Sequence, residues 1–138
     1  MAQDDWVVKQ LQKIDAAGTT AAATVMDRPI VVTLQKGAKT GELRRVPLMR
    51  VEHEGSYAAV ASKGGAPKDP VWYNNLIAHP DIEVMDGTQT HPVRARLLDP
   101  ESEEYGLWWA RSVEAYPEYA KYQEKTSRKI PVFVLEPR

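Results

Sequence analysis

Positive charge in this chain is gathered into one stretch. Between Gln35 and Lys68 stand Lys36, Lys39, Arg44, Arg45, Arg50, Lys63 and Lys68, against Glu42, Glu52 and Glu54, in a protein of 138 residues with net charge −1. Two glycine turns carry part of that charge, Lys36-Gly37-Ala38-Lys39-Thr40-Gly41 and Ser62-Lys63-Gly64-Gly65. Lysine supplies a cation while glycine lets backbone N–H groups come close, so such turns suit a phosphorylated or carboxylated ligand. A merely solvated basic surface is the competing reading. The helix start that follows the second turn, Asp69-Pro70 ahead of Val71-Trp72-Tyr73-Asn74-Asn75, shifts the weight towards an anion site.

Groups able to do acid–base or covalent work are few. His53, His79 and His91 are scattered and lack the spacing of a zinc site, so no metal is expected. The chain has no cysteine, which excludes disulfides and thiolate chemistry and suits the cytoplasm. Nucleophile-elbow, P-loop and dinucleotide-binding patterns are absent. Ser62 has no base near it in sequence and reads as a hydrogen-bond donor, so redox chemistry here would belong to a bound cofactor. Tyr116, Tyr119 and Tyr122 recur every three residues across Pro117. Aromatic stripes usually pack a core, but three phenols each want a polar partner, and a wet pocket satisfies them more easily. Trp72 and Tyr73 offer flat apolar surface nearby, whereas Trp108 and Trp109 read as packing residues.

The elements that must position these groups follow from periodicity and punctuation. Residues 5–17 read as an amphipathic helix ended by Gly18, with Val7, Leu11 and Ile14 on one face. Strands are expected at Ile30–Leu34, Leu43–Val51 and Tyr57–Ser62. Asp69 as N-cap and Pro70 at the first helical position open a helix that Pro80 stops near Ala78. Asp86-Gly87 predicts a type I′ hairpin between strands 81–85 and 88–98, with Pro92 marking a bulge or an edge. Asp99-Pro100 opens another helix, broken at Pro117 and resumed from Tyr119, and 131–135 closes the chain as a strand. About six antiparallel strands with peripheral helices make a small barrel of the α+β, mainly β class.

Composition sets the remaining bounds. Length and 43% apolar content fit one domain over residues 1–138, with its N-terminal helix in 1–18. The acidic start Met1–Asp5 lacks the features of a signal peptide, and no apolar run is long enough to span a membrane. Local rather than facial basicity argues against nucleic acid.

Taken together, Lys39-Thr40-Gly41 with Arg44, Pro47-Leu48, Ala61-Ser62-Lys63-Gly64-Gly65-Ala66, Pro70-x-Trp72-Tyr73-x-Asn75-Leu76, His79-Pro80 and Tyr116-Pro117-x-Tyr119-x-x-Tyr122 resemble the deazaflavin-dependent nitroreductase family. The match runs from about Val31 to Pro137 in constant order. The resemblance implies a split β-barrel of the flavin-mononucleotide-binding type and coenzyme F-420, an 8-hydroxy-5-deazaflavin with a phospholactyl-polyglutamate tail. Positions matching Lys39, Thr40, Arg44 and Lys63 would hold that tail. Ala38 and Arg45 fall beside them, and Val46, Pro47, Leu48, Met49, Val60, Ala61, Ser62, Val71, Trp72, Tyr73, Asn74, Asn75 and Tyr119 match cofactor-lining positions. Ser62, Tyr116 and Tyr122 would face the substrate.

The implied reaction is hydride transfer from the reduced deazaflavin to a planar acceptor such as a quinone, enone or nitroheteroaromatic, with the protein supplying position and electrostatics. Met49 departs from the nitro-prodrug-activating members, which carry tyrosine there, so that substrate scope does not transfer. Two alternatives stay open: a flavin-mononucleotide-dependent oxidoreductase on the same barrel, and a non-catalytic deazaflavin carrier or sensor. Homodimer formation and contact of the first helix with a membrane surface are left open as well.

Overall fold

A computed structural model describes residues 5–138; the start Met1–Asp4, read above as carrying no leader, lies outside the described residues. In chain order the elements are α1 (Asp5–Ala17), β1 (Thr24–Val25), β2 (Arg28–Lys36), β3 (Leu43–Met49), β4 (Glu52–His53), β5 (Ser56–Val60), α2 (Trp72–Ala78), β6 (Asp81–Asp86), β7 (Gln89–Leu97), α3 (Glu103–Ala115), α4 (Glu118–Lys125) and β8 (Val132–Pro137). Short 3-10 turns lie at Thr20–Ala22 and Lys63–Gly65.

The longer strands lie antiparallel in the order β3-β2-β6-β7-β8-β5, which matches the expected six. Closure comes from one continuous stretch of chain. After pairing with β2 from Lys36↔Leu43 to Ile30↔Met49, the backbone crosses over: Val51 C=O accepts from Ala58 N–H, and Glu52 pairs with Tyr57 on β5. The sheet therefore curls into a split barrel, as the resemblance implied.

Alternate residues serve two cores. Val31, Tyr57, Ala59, Ile82, Val84, Val93, Phe133 and Leu135 fill the inside of the sheet with Leu76 of α2. Ile30, Val32, Met49, Val60 and Val134 face outward under Leu11 and Ile14 of α1, Tyr105 and Trp108 of α3, and Tyr119 of α4. Burial on both faces suits the β-branched run Ile30–Thr33 at the centre of β2. Each fully buried Leu, Ile, Val or Phe side chain contributes about 1.5–3 kcal/mol.

Several local expectations change. Asp69 does not cap α2: the helix starts at Trp72 without a side-chain cap bond, and Asp69 instead pairs with Arg128 at 3.0 Å. Asp99 likewise yields to Ser102, whose Oγ accepts from Tyr105 N–H at the start of α3. The β6–β7 hairpin has Asp86 paired with Gln89, so Gly87-Thr88 are its central residues, and only Gly87 has positive φ (65°). That is the type II′ pattern, not I′. Pro92 belongs to an inner strand, but β8 pairing begins only at Val93, so the proline lies where β7 is locally an edge.

At the β6–β7 end of the barrel, charge is internally matched. Asp86 accepts Arg50 Nε on both oxygens at 3.0 Å and the Tyr57 hydroxyl at 2.7 Å. Burial alone would push the Asp86 carboxyl up, but the hydrogen bonds from Arg50 and Tyr57 outweigh it and hold the group below the usual carboxylate range.

Candidate cofactor site

The opposite ends of the same strands carry the two cationic turns. At the end of β2 the chain reverses through Gly37–Glu42, with Gly37 N–H donating to Glu42 C=O at 2.8 Å and Gly41 N–H to Gly37 C=O at 2.9 Å. A buried polar chain fixes this turn to the helix beside it. Ala38 N–H donates to Asn75 Oδ1 at 2.9 Å, and Asn75 Nδ2 reaches Gln35 Oε1 at 3.5 Å. Gln35 Nε2 then donates to Thr33 Oγ1 at 2.8 Å, and Thr33 Oγ1 to Val46 C=O at 3.0 Å. Gln35 and Thr33 are fully buried, so these polar groups have to satisfy one another. Sequence reading gave Asn75 a cofactor-lining place; the structure makes its amide the link between α2 and the Ala38 turn.

The second turn leaves β5 through Val60 and Ala61, both buried, and Ser62. Lys63, Gly64 and Gly65 follow with φ of 46°, 63° and 82°. Three successive left-handed residues are costly for anything but glycine, and Lys63 is the exception. Gly65 also has no room for a side chain: a Cβ there would sit 2.6 Å from the Tyr122 carbonyl oxygen and 3.0 Å from Lys125 Cβ. The turn thus lies directly on α4. Gly65 N–H donates to Ser62 C=O and Ala66 N–H to Lys63 C=O, while the Lys63 and Gly64 N–H groups and the Ser62 hydroxyl have no partner among the described residues.

One residue that sequence reading missed holds this turn from behind. Arg128 donates through Nε to Ala66 C=O (2.9 Å), through Nη1 to Ala61 C=O (3.1 Å) and Asp69 Oδ1 (3.0 Å), and through Nη2 to Ser62 C=O (2.8 Å). Nothing in Ser127-Arg128-Lys129 distinguishes it from a solvated basic pair, and its partners lie about sixty residues away.

The remaining expected cations divide into two kinds. Arg45 is bound in both its terminal nitrogens by Asp15 of α1, at 2.7 and 3.1 Å, and Arg44 lies 3.4 Å from Glu42. Lys36, Lys39, Lys63 and Lys68 are exposed and form no ion pair among the described residues. Thr40 Oγ1 accepts from Glu42 N–H within its turn. Leu48 is half-buried against the inner core, Pro47 pairs with Val32 on β2, and Met49 is buried beneath the helices. Trp72 and Tyr73 rest on Phe133 with ring centroids 6.2 and 5.4 Å away. Val71 and Asn74 are exposed.

The three tyrosines form one cluster, with centroids 5.1 to 6.2 Å apart. The Tyr116 and Tyr122 hydroxyls meet at 3.1 Å, and the Tyr116 hydroxyl lies 3.6 Å from Met26 Sδ. Tyr119 is buried in the helix-side core. Burial, then the bond to Tyr122, pushes the Tyr116 phenol well above its ordinary value, and burial does the same to Tyr119. Both therefore stay protonated at neutral pH. Two cavities, of about 500 Å³ against Tyr105 and Trp109 and about 250 Å³ beside Tyr57 and His91, are lined by none of the expected site residues. The two cationic turns lie at the same end of the sheet; Trp72 and Tyr73 border the inner core, whereas the three tyrosines belong to the helix-side core, whose Tyr122 backbone meets the second turn at Gly65. No group of three or more possible metal ligands occurs among the described residues.

Comparison with known proteins agrees with that chemistry. The model of the F420H(2)-dependent quinone reductase family matches residues 6–137. An F420H(2)-dependent quinone reductase of Mycobacterium tuberculosis is 39% identical over 111 residues, covering 80% of this chain and 74% of the relative. A solved F420-H2 dependent reductase is 55% identical and superposes with a TM-score of 0.74 over 83% of this chain and 99% of its own. A second solved chain, described as a domain-swapped dimer, is 53% identical with a TM-score of 0.77, covering 96% of this chain and 98% of that one. The chain belongs to the F420H(2)-dependent quinone reductase family and is an oxidoreductase whose cofactor is coenzyme F-420.

Proposed function

We propose that the end of the barrel built by the Ala38 turn, the Lys63 turn and α2 holds reduced F-420, and that the protein reduces a small planar acceptor of the quinone class. The observation that carries this reading is the turn at Lys63–Gly65, which offers two N–H groups unpartnered among the described residues, in a stretch of exposed lysines that form no ion pair with those residues. Such a concavity fits a phosphate or carboxylate, and the tail of F-420 carries both. When bound, the reduced deazaflavin supplies a hydride from its C5.

The chain's own residues do the rest. Lys39, Thr40, Arg44 and Lys63 engage the tail, and the Lys63 and Gly64 N–H groups donate to it. Trp72 and Tyr73, rigid against Phe133, bound the ring end, with Ala38, Val46, Pro47, Leu48, Val71 and Asn74 around it. Met49, Val60 and Tyr119, in the helix-side core, and buried Ala61 back the site from within the fold. Arg45, held by Asp15, ties α1 to β3 and contributes less to the tail.

Ser62, Tyr116 and Tyr122 are the groups proposed to meet the acceptor. Because one of the Tyr116 and Tyr122 hydroxyls donates to the other, the pair keeps one hydrogen to offer an acceptor oxygen as negative charge develops there. Losing one such preorganised donor costs about 3–4 kcal/mol in favourable cases. Single-turnover oxidation of bound F-420H2 by a benzoquinone tests this: Tyr122→Phe and Ser62→Ala should slow the transfer while leaving cofactor affinity within about twofold. Unchanged transfer in both would remove these hydroxyls from the reaction, and no transfer in the wild type would favour the carrier reading.

Two coarser matters rest on the same footing. Homodimer formation is supported by the 53%-identical relative described as a domain-swapped dimer, and light scattering at micromolar concentration tests it. A cytoplasmic location is supported by the lack of cysteine. No helix among the described residues is long and apolar enough to cross a membrane.

A further inference from the structure

We propose that Arg128 is a positioning residue for cofactor binding: its guanidinium ties the two ends of the Ser62–Ala66 turn together and thereby aims the Lys63 and Gly64 N–H groups at the anionic tail. The inference rests on the tail-binding reading above.

The geometry is specific. Three carbonyls, from Ala61, Ser62 and Ala66, and the Asp69 carboxylate all converge on one side chain. That guanidinium is largely enclosed, with its side chain 16% exposed. Only a planar fork with five N–H donors can meet four acceptors at once; an ammonium cannot.

The consequence for the ligand side follows from peptide geometry. In a trans peptide unit the C=O and N–H point in opposite directions. Ser62 C=O and Lys63 N–H belong to the same unit. Drawing the Ser62 carbonyl onto Arg128 therefore turns the Lys63 N–H to the far side. The next unit follows suit, since Lys63 C=O is taken by Ala66 N–H, which sets the Gly64 N–H away from that contact. On the other flank, Gly65 packs so closely on α4 that a Cβ there would meet the Tyr122 carbonyl oxygen at 2.6 Å. The turn is thus clamped between α4 and Arg128, and the left-handed conformation at Lys63, unfavourable by itself, is held in place.

Arg128 also carries charge, so its effect through position has to be separated from a general attraction for anions. The experiment compares wild type with Arg128→Lys, Arg128→Ala and Asp69→Asn. Each is titrated with F-420 and with the tail-less deazaflavin nucleoside, following tryptophan fluorescence, and the thermal midpoint is read without ligand. The expected result is selective. Arg128→Lys, which keeps the charge, weakens F-420 binding by roughly ten- to thirtyfold but leaves the tail-less nucleoside within about twofold, so the preference for the tail collapses. Asp69→Asn, which leaves the three carbonyl contacts available, shows the same selectivity at smaller size and serves if Arg128→Ala does not fold.

Equal weakening of both ligands would reduce Arg128 to a support of the fold. Full retention of tail preference in Arg128→Lys would show that charge, not geometry, is what matters. Both results overturn the proposal. A wild-type protein that binds the two ligands equally would defeat the tail-binding reading itself, and the assignment of Arg128 would fall with it.

Discussion

The two ends of this barrel use the same residue types to opposite effect. At the β6–β7 end, Arg50 is matched to Asp86, and Asp86 in turn takes the Tyr57 hydroxyl, so cation, anion and phenol satisfy one another. At the other end, Lys36, Lys39, Lys63 and Lys68 lie exposed without an ion pair among the described residues, and two backbone N–H groups beside them are open. The first arrangement stabilises the fold. The second leaves its charge unmatched among the described residues, which the proposed reading assigns to the cofactor tail, and strain at Lys63 accompanies it.

The sharpest way to break that contrast is to remove charge from the open end. Lys39→Ala with Lys63→Ala should weaken F-420 binding roughly a hundredfold, about 2.7 kcal/mol, and flatten its dependence on salt, with the thermal midpoint unchanged. A fall in the midpoint without loss of affinity would assign these lysines to structure. Next in size is Gly65→Ala. Its φ of 82° and the carbonyl 2.6 Å from the added carbon leave no accommodation without moving the turn. Thermal denaturation should register a loss of about 2 kcal/mol, together with weaker cofactor binding.

The closed end should answer in the reverse sense. Asp86→Asn leaves the Arg50 cation with only the more distant Glu52 carboxylate at 4.0 Å, and urea denaturation should show a loss of about 1–2 kcal/mol, with F-420 affinity within twofold of wild type. A pH series sharpens the same point with a smaller signal. Because the folded carboxyl lies below its ordinary value, its contribution is present above about pH 4 and is lost as pH falls through the folded pKa. The gap in thermal midpoint between wild type and Asp86→Asn should therefore narrow on acidification. A gap that widens would mean the carboxyl is not held low in the folded protein.

How far the sequence revealed these two ends depends on the range of the interactions. The cationic turns were legible because charge and glycine fall within a few residues of each other, and the strands because β-branched runs and proline punctuation are local. The cap assignments at Asp69 and Asp99 failed for one physical reason. Several nearby groups can satisfy an Asp carboxylate, and Arg128 and the Glu101 N–H competed successfully with the helix ends. Arg128 itself and the Thr33–Gln35–Asn75 chain join residues far apart in sequence. Thr33 and Gln35 interrupt the apolar part of β2, and two polar residues within a strand were the signal there that polar partners had to be found inside the fold. The division between Arg45, held by α1, and Lys39 or Lys63, whose side chains form no ion pair among the described residues, could not be read from residue type at all.

The most direct test of the account is the affinity of the wild-type protein for F-420 and for flavin mononucleotide, each titrated at about 20 and 200 mM salt, where the screening length falls from roughly 20 to 7 Å. Micromolar or tighter binding of F-420, weakening as salt rises and at least tenfold preferred over flavin mononucleotide, is the predicted result. Equal affinity for the two ligands, or F-420 binding indifferent to salt, would contradict the claim that the open end of the barrel exists to hold an anionic deazaflavin tail.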